Sequence, residues 1–233
     1  APGAVITDIS HEVKPFYTAQ AAYLLGAAYG SFPQGTVHIA LFDLFSDAGP
    51  RLVLSQHRGH YFLTPDNGLL PLALGTLPER SWLCMQLLPG QTMSHWLSAA
   101  GSTATLLDTQ TPEVIGLQEF TLTKLPPKPH TGMAHELEGE VIHIDHYENV
   151  VMSITKEQFD EAANGRRFRI FFSQDEEEVE ELSSSYNDVR EGYKLCRFNS
   201  NGYLELCINR GKAASLFGLR IGSRHNGIKI TLE

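Results

Sequence analysis

Two short polar loops and one strand end carry the residue types best suited to hold and attack a small polar ligand. The first loop is Asp145-His-Tyr-Glu-Asn149, flanked by Val141–Ile144 and Val150–Ile154, β-branched apolar runs that each read as a strand. By loop chemistry alone this is a hairpin turn, because Asp and Asn bond their own backbone cheaply. Fixed on a rigid hairpin, the same carboxylate and carboxamide can also receive a cationic amine and a purine edge together. The second loop, Ser200-Asn201-Gly202, is an ordinary hairpin turn that also offers a hydroxyl and an amide. Asp43 ends the buried run Thr36–Phe42, the kind of position where α/β sheets place working groups. The bland alternative for Asp43 is a cap on the loop to Pro50.

These groups need two kinds of scaffold. Val5–Ile9 reads as a buried strand, and Thr18 precedes a small-residue helix whose periodic residues run from Ala21 to Tyr29, ended by Phe32-Pro33 and Gly35, with Thr36–Phe42 the next strand. Strand–helix–strand order predicts a parallel pair in an α/β layer. Arg51–Ser55 and Tyr61–Thr64 are further strands around the turn Gln56–His60. Pro65-Asp-Asn-Gly68 is a turn leading into a short helix over Leu69–Leu74, and Trp82–Leu87 is another strand. Thr121–Ala134, with Pro126, Pro127, Pro129 and Gly132, reads as a linker. Beyond it the pattern turns to short strands with few helices: the 141–154 hairpin, Arg167–Phe172, Lys194–Phe198, Tyr203–Ile208 and Gly227–Leu232. The expectation is an α/β domain over residues 1–124, a linker over 125–135 and a β-barrel or sandwich over 136–233. A buried strand only four residues from the start suggests a segment preceding the sequence.

Composition narrows the function. A formal net charge of −9 disfavours nucleic acid and anionic membranes as partners, yet suits a cationic small ligand. Cys84, Cys196 and Cys207 have neither metal-ligand spacing nor a disulfide framework. They read as structural thiols in a reducing cytoplasm. The ten histidines fall in no metal-binding spacing, so no metal and no cofactor are expected. The acid-rich run Asp175–Glu181, six acids in seven positions, reads as a solvated loop or edge, and Ser183–Tyr186 as its flexible continuation.

Four strings together resemble one family. They are VITDISHEVKPFYTAQAAYLLGAAYGSFPQGTVHIA, YFLTPDNGLLPLAL, IHIDHYENVVMSI and NSNGYLELCINRGKAAS. Each is similar to a hallmark of the S-adenosylmethionine (SAM) hydroxide adenosyltransferases, relatives of the fluorinase and chlorinase enzymes. The resemblance implies a Rossmann-like α/β domain followed by a smaller β-barrel. It also implies a homotrimer with sites between subunits, and hydrolysis of SAM to adenosine and methionine. By position, Asp145 would hold the methionine ammonium, Asn149 the adenine edge, and Ser200 and Asn201 the methionine end. The backbone near Ala213 would complete the purine contact, and Phe16 would line the ribose and C5′ region.

The same resemblance implies a water-activating set of Asp43, Arg51 and His95, with Asp43 paired to Arg51. Here the chain departs from the pattern. The family's D-P-G-V-G-T-x-R-R is replaced by Asp43-Leu-Phe-Ser-Asp-Ala-Gly-Pro-Arg51, and Thr92-Met-Ser-His95-Trp96 is all that answers to T-F-H-G-R-D. The family's T-T-D-F-G segment, whose aspartate binds ribose, is not in the sequence. A non-catalytic SAM or adenosine binder is the alternative reading. A halogenase ranks lowest, because Asp43 would repel a halide at C5′.

Overall fold

The structure, a computed structural model, describes residues 3–45, 50–122, 135–172, 177–222 and 228–233. The chain divides into two compact units, Ala1–Pro127 and Lys128–Glu233.

The first unit begins with α1 (Thr18–Tyr29) and β1 (Val37–Ile39), followed by β2 (Arg51–His57) and β3 (His60–Pro65). Next come α2 (Leu69–Leu74), β4 (Arg80–Gln86), α3 (Met93–Leu106), α4 (Pro112–Ile115) and β5 (Gln118–Glu119). Arg58 and Gly59 both take positive φ, so β2 and β3 form a tight hairpin whose twist matches its strands. That connection forces antiparallel pairing, and the sheet is accordingly mixed, in the order β1-β3-β2-β4-β5 with β1–β3 its parallel pair. Phe62 faces a cluster with Ala21, Leu25, Leu69 and Leu70 of α1 and α2. Its neighbour Leu63 faces Leu54, Trp82, Trp96 and Ala100 on the α3 side. Both faces of the sheet are thus covered, which is why Leu52 to Ser55 run buried without alternation. Gly26 lets α1 approach α2 closely, since a Cβ there would lie 2.5 Å from the Ala73 carbonyl oxygen.

Three expectations of secondary structure fail in this unit, the first at Thr36–Phe42, where the strand covers only Val37–Ile39 and Ile39 and Leu41 are 47% and 41% exposed. Val5–Ile9 forms no strand, and Val5 and Ile6 are 92% and 89% exposed. A β-branched run becomes a strand only beside a ladder, and here β1 pairs with β3 instead. The helix α3 lies where no helix was expected. It starts at a capping box in which Thr92 and His95 satisfy each other's backbone N–H groups.

The second unit contains β6 (Glu136–Gly139), β7 (Val141–Ile144), β8 (Val150–Thr155), α5 (Lys156–Ala163), β9 (Phe168–Phe172) and β10 (Glu177–Val179). A 3-10 turn at Tyr186–Asp188, then β11 (Lys194–Phe198), β12 (Tyr203–Ile208), α6 (Ala213–Leu216) and β13 (Ile228–Leu232) complete it. The ladders form two four-stranded antiparallel sheets, β10-β9-β13-β6 and β11-β12-β8-β7, not a closed barrel among the described residues. One core fills the space they share: Leu204, Leu206 and Ile208 alternate into it from β12, Ile228, Ile230 and Leu232 from β13. The helix α5 departs from an all-β pattern. Its Thr155–Gln158 capping box and the left-handed Asn164 delimit it.

The expected linker falls almost wholly on residues 123–134, outside the described residues, as do Asp175 and Glu176. Glu177–Val179 is an edge strand whose charges pair with Lys194 and Arg169. Ser184 and Ser185, expected to be flexible, are tied by their N–H groups to Asp188 at 2.8 and 3.0 Å. Cys196 and Cys207 are buried and Cys84 partly so, and burial pushes all three thiols up, Cys84 to about 11. Among the described residues no helix is long and apolar enough to cross a membrane.

A buried histidine pair gives the first unit a predictable acid response. His38 Nε2 and His60 Nδ1 lie within hydrogen-bond distance, 3.2 Å apart, and His38 stacks on Phe62. Burial, then repulsion from His60, lowers His38 from 6.5 to about 4. Between those values the unfolded chain binds a proton that the fold refuses, so stability is full above about pH 6.5 and falls on acidification. His38 alone should remove up to about 3 kcal/mol by pH 4. Denaturant unfolding at pH 7.5, 6 and 5 checks this, with His38→Gln expected to flatten the slope.

Candidate active site

In the second unit the Asp145–Asn149 loop is internally fixed. Asn149 donates its backbone N–H to Asp145 Oδ1 at 2.8 Å and its side-chain Nδ2 to Oδ2 at 2.9 Å. The backbone closes the loop with Asp145 N to Asn149 O at 3.1 Å. Flipping the Asn149 amide would set oxygen against oxygen, so its orientation is determined. One amide hydrogen and the carbonyl oxygen of Asn149 remain, the donor–acceptor pair that matches an adenine edge. Asn149 is 7% exposed and Asp145 half-buried, and each Asp145 oxygen retains a lone pair for an ammonium.

This loop is stitched to α6, where Ala213 lies. Glu148 accepts the Ala214 N–H on its carbonyl at 3.0 Å, the Ser215 N–H on its carboxylate at 3.0 Å, and Lys212 Nζ at 2.8 Å. Asp145, Asn149 and Ala213 therefore occupy one region of the unit.

Ser200 and Asn201 do not join them. Asn199 Oδ1 holds their turn by accepting the N–H groups of Asn201 and Tyr203, at 3.0 and 3.1 Å. Each turn immediately precedes a strand, β8 for Asp145–Asn149 and β12 for Ser200–Gly202. Those strands are antiparallel, with Tyr203 opposite Thr155 and Leu206 opposite Val150. Antiparallel strands start at opposite ends, so the turns are separated by at least the Tyr203–Leu206 ladder, roughly 10 Å.

In the first unit, Asp43 adopts φ +49° just beyond β1. Asn67 fixes it there by donating Nδ2 to the carbonyls of Phe42 and Asp43 at 2.9 and 3.3 Å. Arg51 does not pair with Asp43. Its carboxylate partner is Asp66, with Nη1 3.6 Å from Oδ2, because Pro65 lies opposite Leu52 in the hairpin and Asp66 N bonds Arg51 O. His95 is exposed and caps α3, with Thr92 N donating to its Nδ1 at 3.1 Å. The chain neighbours of all three, Leu44, Leu52 and Trp96, belong to one core cluster, but Asp43, Arg51 and His95 each have a different partner: Asn67 on the Asp43 carbonyl, Asp66 on Arg51 and Thr92 on His95. Phe16 is 83% exposed at φ +62°, a conformation costly for a bulky residue.

Three residues with evident duties had no role in the sequence reading: Asp66, Asn67 and Glu148. Asp66 and Asn67 lie in the Pro-Asp-Asn-Gly turn, whose composition accounts for them as turn formers. Glu148 had one signal, a long charged side chain within a five-residue loop, with no indication of its partner.

The family model described as SAM hydroxide adenosyltransferase N-terminal domain matches residues 1–98, and the C-terminal domain model matches residues 139–226. The chain is 29% identical over 240 residues to the (R)-S-adenosyl-L-methionine hydrolase of Thermus thermophilus, covering 95% of this chain and 87% of that one. The enzyme of the same name from Salinispora tropica is 25% identical over 235 residues, covering 96% and 86%. Among solved structures, an uncharacterized conserved protein from Thermotoga maritima shares the fold with TM-score 0.80 and 24% identity, over 99% of this chain and 90% of that one. A conserved hypothetical protein from Thermus thermophilus has TM-score 0.68 and 26% identity, over 100% and 88%. With both domains matched in order, the chain belongs to the SAM hydroxide adenosyltransferase family.

Proposed function

We propose that this protein hydrolyses SAM to adenosine and L-methionine. The observation that carries the reading is the loop in which Asp145 orients Asn149 beside the Ala213 segment, inside a chain whose two halves match this family in order. Asn149 and the backbone near Ala213 receive the purine, Asp145 the ammonium, and Phe16 the ribose and C5′ region. Water loses a proton to Asp43 as its oxygen bonds to C5′. The C5′–S bond breaks with its electron pair passing to sulfur, which leaves as a neutral thioether. Attack on a sulfonium disperses charge, so excluding bulk water from the site speeds the step. Arg51 supports this site through Asp66, and His95 through α3.

Phe16 and Asp43 belong to the first unit and the Asp145 and Ser200 turns to the second, a division that favours assembly. A cyclic homotrimer would let Phe16 and Asp43 of a neighbouring copy complete the set at Asp145, within Rossmann-like and barrel-like halves of the family type. Light scattering should report three copies, and a monomer at working concentration would remove this part of the proposal. The reaction itself is tested by incubating the protein with SAM and resolving adenosine and methionine by chromatography. Equimolar release of the two supports hydrolysis. Tight SAM binding without release would leave a binding protein.

A further inference from the structure

Glu148 occupies a backbone conformation that suits glycine, at φ +64°. Left-handed geometry strains a side chain, so a glutamate kept there needs a compensating role. Its bonds supply one. Its carbonyl and carboxylate together take the N–H groups of Ala214 and Ser215 and the Lys212 ammonium, all from one segment more than sixty residues along the chain. The geometry points to Glu148 as a positioning residue for purine recognition: it clamps the Asn149 loop to the Ala213 segment, so that both edges of the purine site are set before a ligand arrives. The inference rests on the adenosine-binding reading above and adds a residue to it.

The two N–H bonds carry most of this duty. The Lys212 side chain is 72% exposed, and an ion pair to so exposed a partner contributes little. Lys212, then Ser215, hold the Glu148 carboxyl down to about 2, so it stays ionised and the clamp stays closed across the range in which enzymes are assayed. Preorganisation of this kind appears in affinity, because an unclamped loop must be ordered at the moment of binding.

The test compares three forms of the intact chain by adenosine calorimetry and thermal melting. Glu148→Gly relieves the left-handed strain but removes both carboxylate bonds. Glu148→Gln keeps an acceptor for Ser215 N–H. The Gly variant should melt close to the parent, since relieved strain offsets lost bonds, yet bind adenosine on the order of tenfold more weakly. The Gln variant should fall between the two in affinity. A Gly variant that binds adenosine as tightly as the parent overturns the clamp, while the function reading stands. Affinity losses that follow melting temperature equally in both variants also overturn it, because they mark a purely structural role. A parent that binds no adenosine overturns the function reading and the clamp with it.

Discussion

Asp43→Asn should leave SAM binding intact while adenosine release falls by roughly 10²–10⁴-fold, the usual contribution of a general base. The substitution is unusually clean at this position. Asp43 sits at φ +49°, and Asp and Asn are among the few non-glycine residues that accept left-handed backbone. The Asn67 side chain anchors the site through the carbonyls of Phe42 and Asp43, which the substitution does not touch. Only the ability to take a proton is lost. Arg51 is engaged with Asp66, so Asp43 lacks the ion pair that the sequence suggested. Single-turnover release of adenosine from bound SAM measures the effect. A variant as fast as its parent would remove Asp43 from the mechanism and reduce the other assignments of the first unit to structural duties.

Asp145→Ala should weaken SAM more than it weakens adenosine, with a difference of about 1.5–3 kcal/mol from losing a charged hydrogen bond. The difference matters, not the absolute loss. Both Asp145 oxygens also hold Asn149, through its backbone N–H and its Nδ2. Removing the carboxylate therefore frees the Asn149 amide to rotate, and adenosine should lose some affinity as well. Only SAM carries the ammonium, so the excess loss for SAM isolates that contact. Calorimetry with both ligands on the parent and the variant gives the four values needed. Equal losses would mean that Asp145 serves only to orient Asn149.

The sequence by itself determined most strands, the α1 and α2 helices, the β2–β3 turn and the chemistry of the Asp145–Asn149 loop. These are local matters: β-branched runs, Gly and Asx turn residues and helical spacing act within a few residues of the chain. The four matched strings likewise carried the family. Four things only the tertiary structure decided. Val5–Ile9 has strand composition but no strand, because a ladder needs a neighbour that composition does not name. Arg51 could be placed near Asp43 by spacing, but hairpin register put Asp66 opposite it instead. Glu148 was an unremarked charge until Lys212 to Ser215 came alongside, and antiparallel β8 and β12 put the Asp145–Asn149 and Ser200–Asn201 turns at opposite strand ends. Each of these depends on which distant strands pair and in what register, and that is settled by the packing of whole faces, not by any residue's neighbours in sequence.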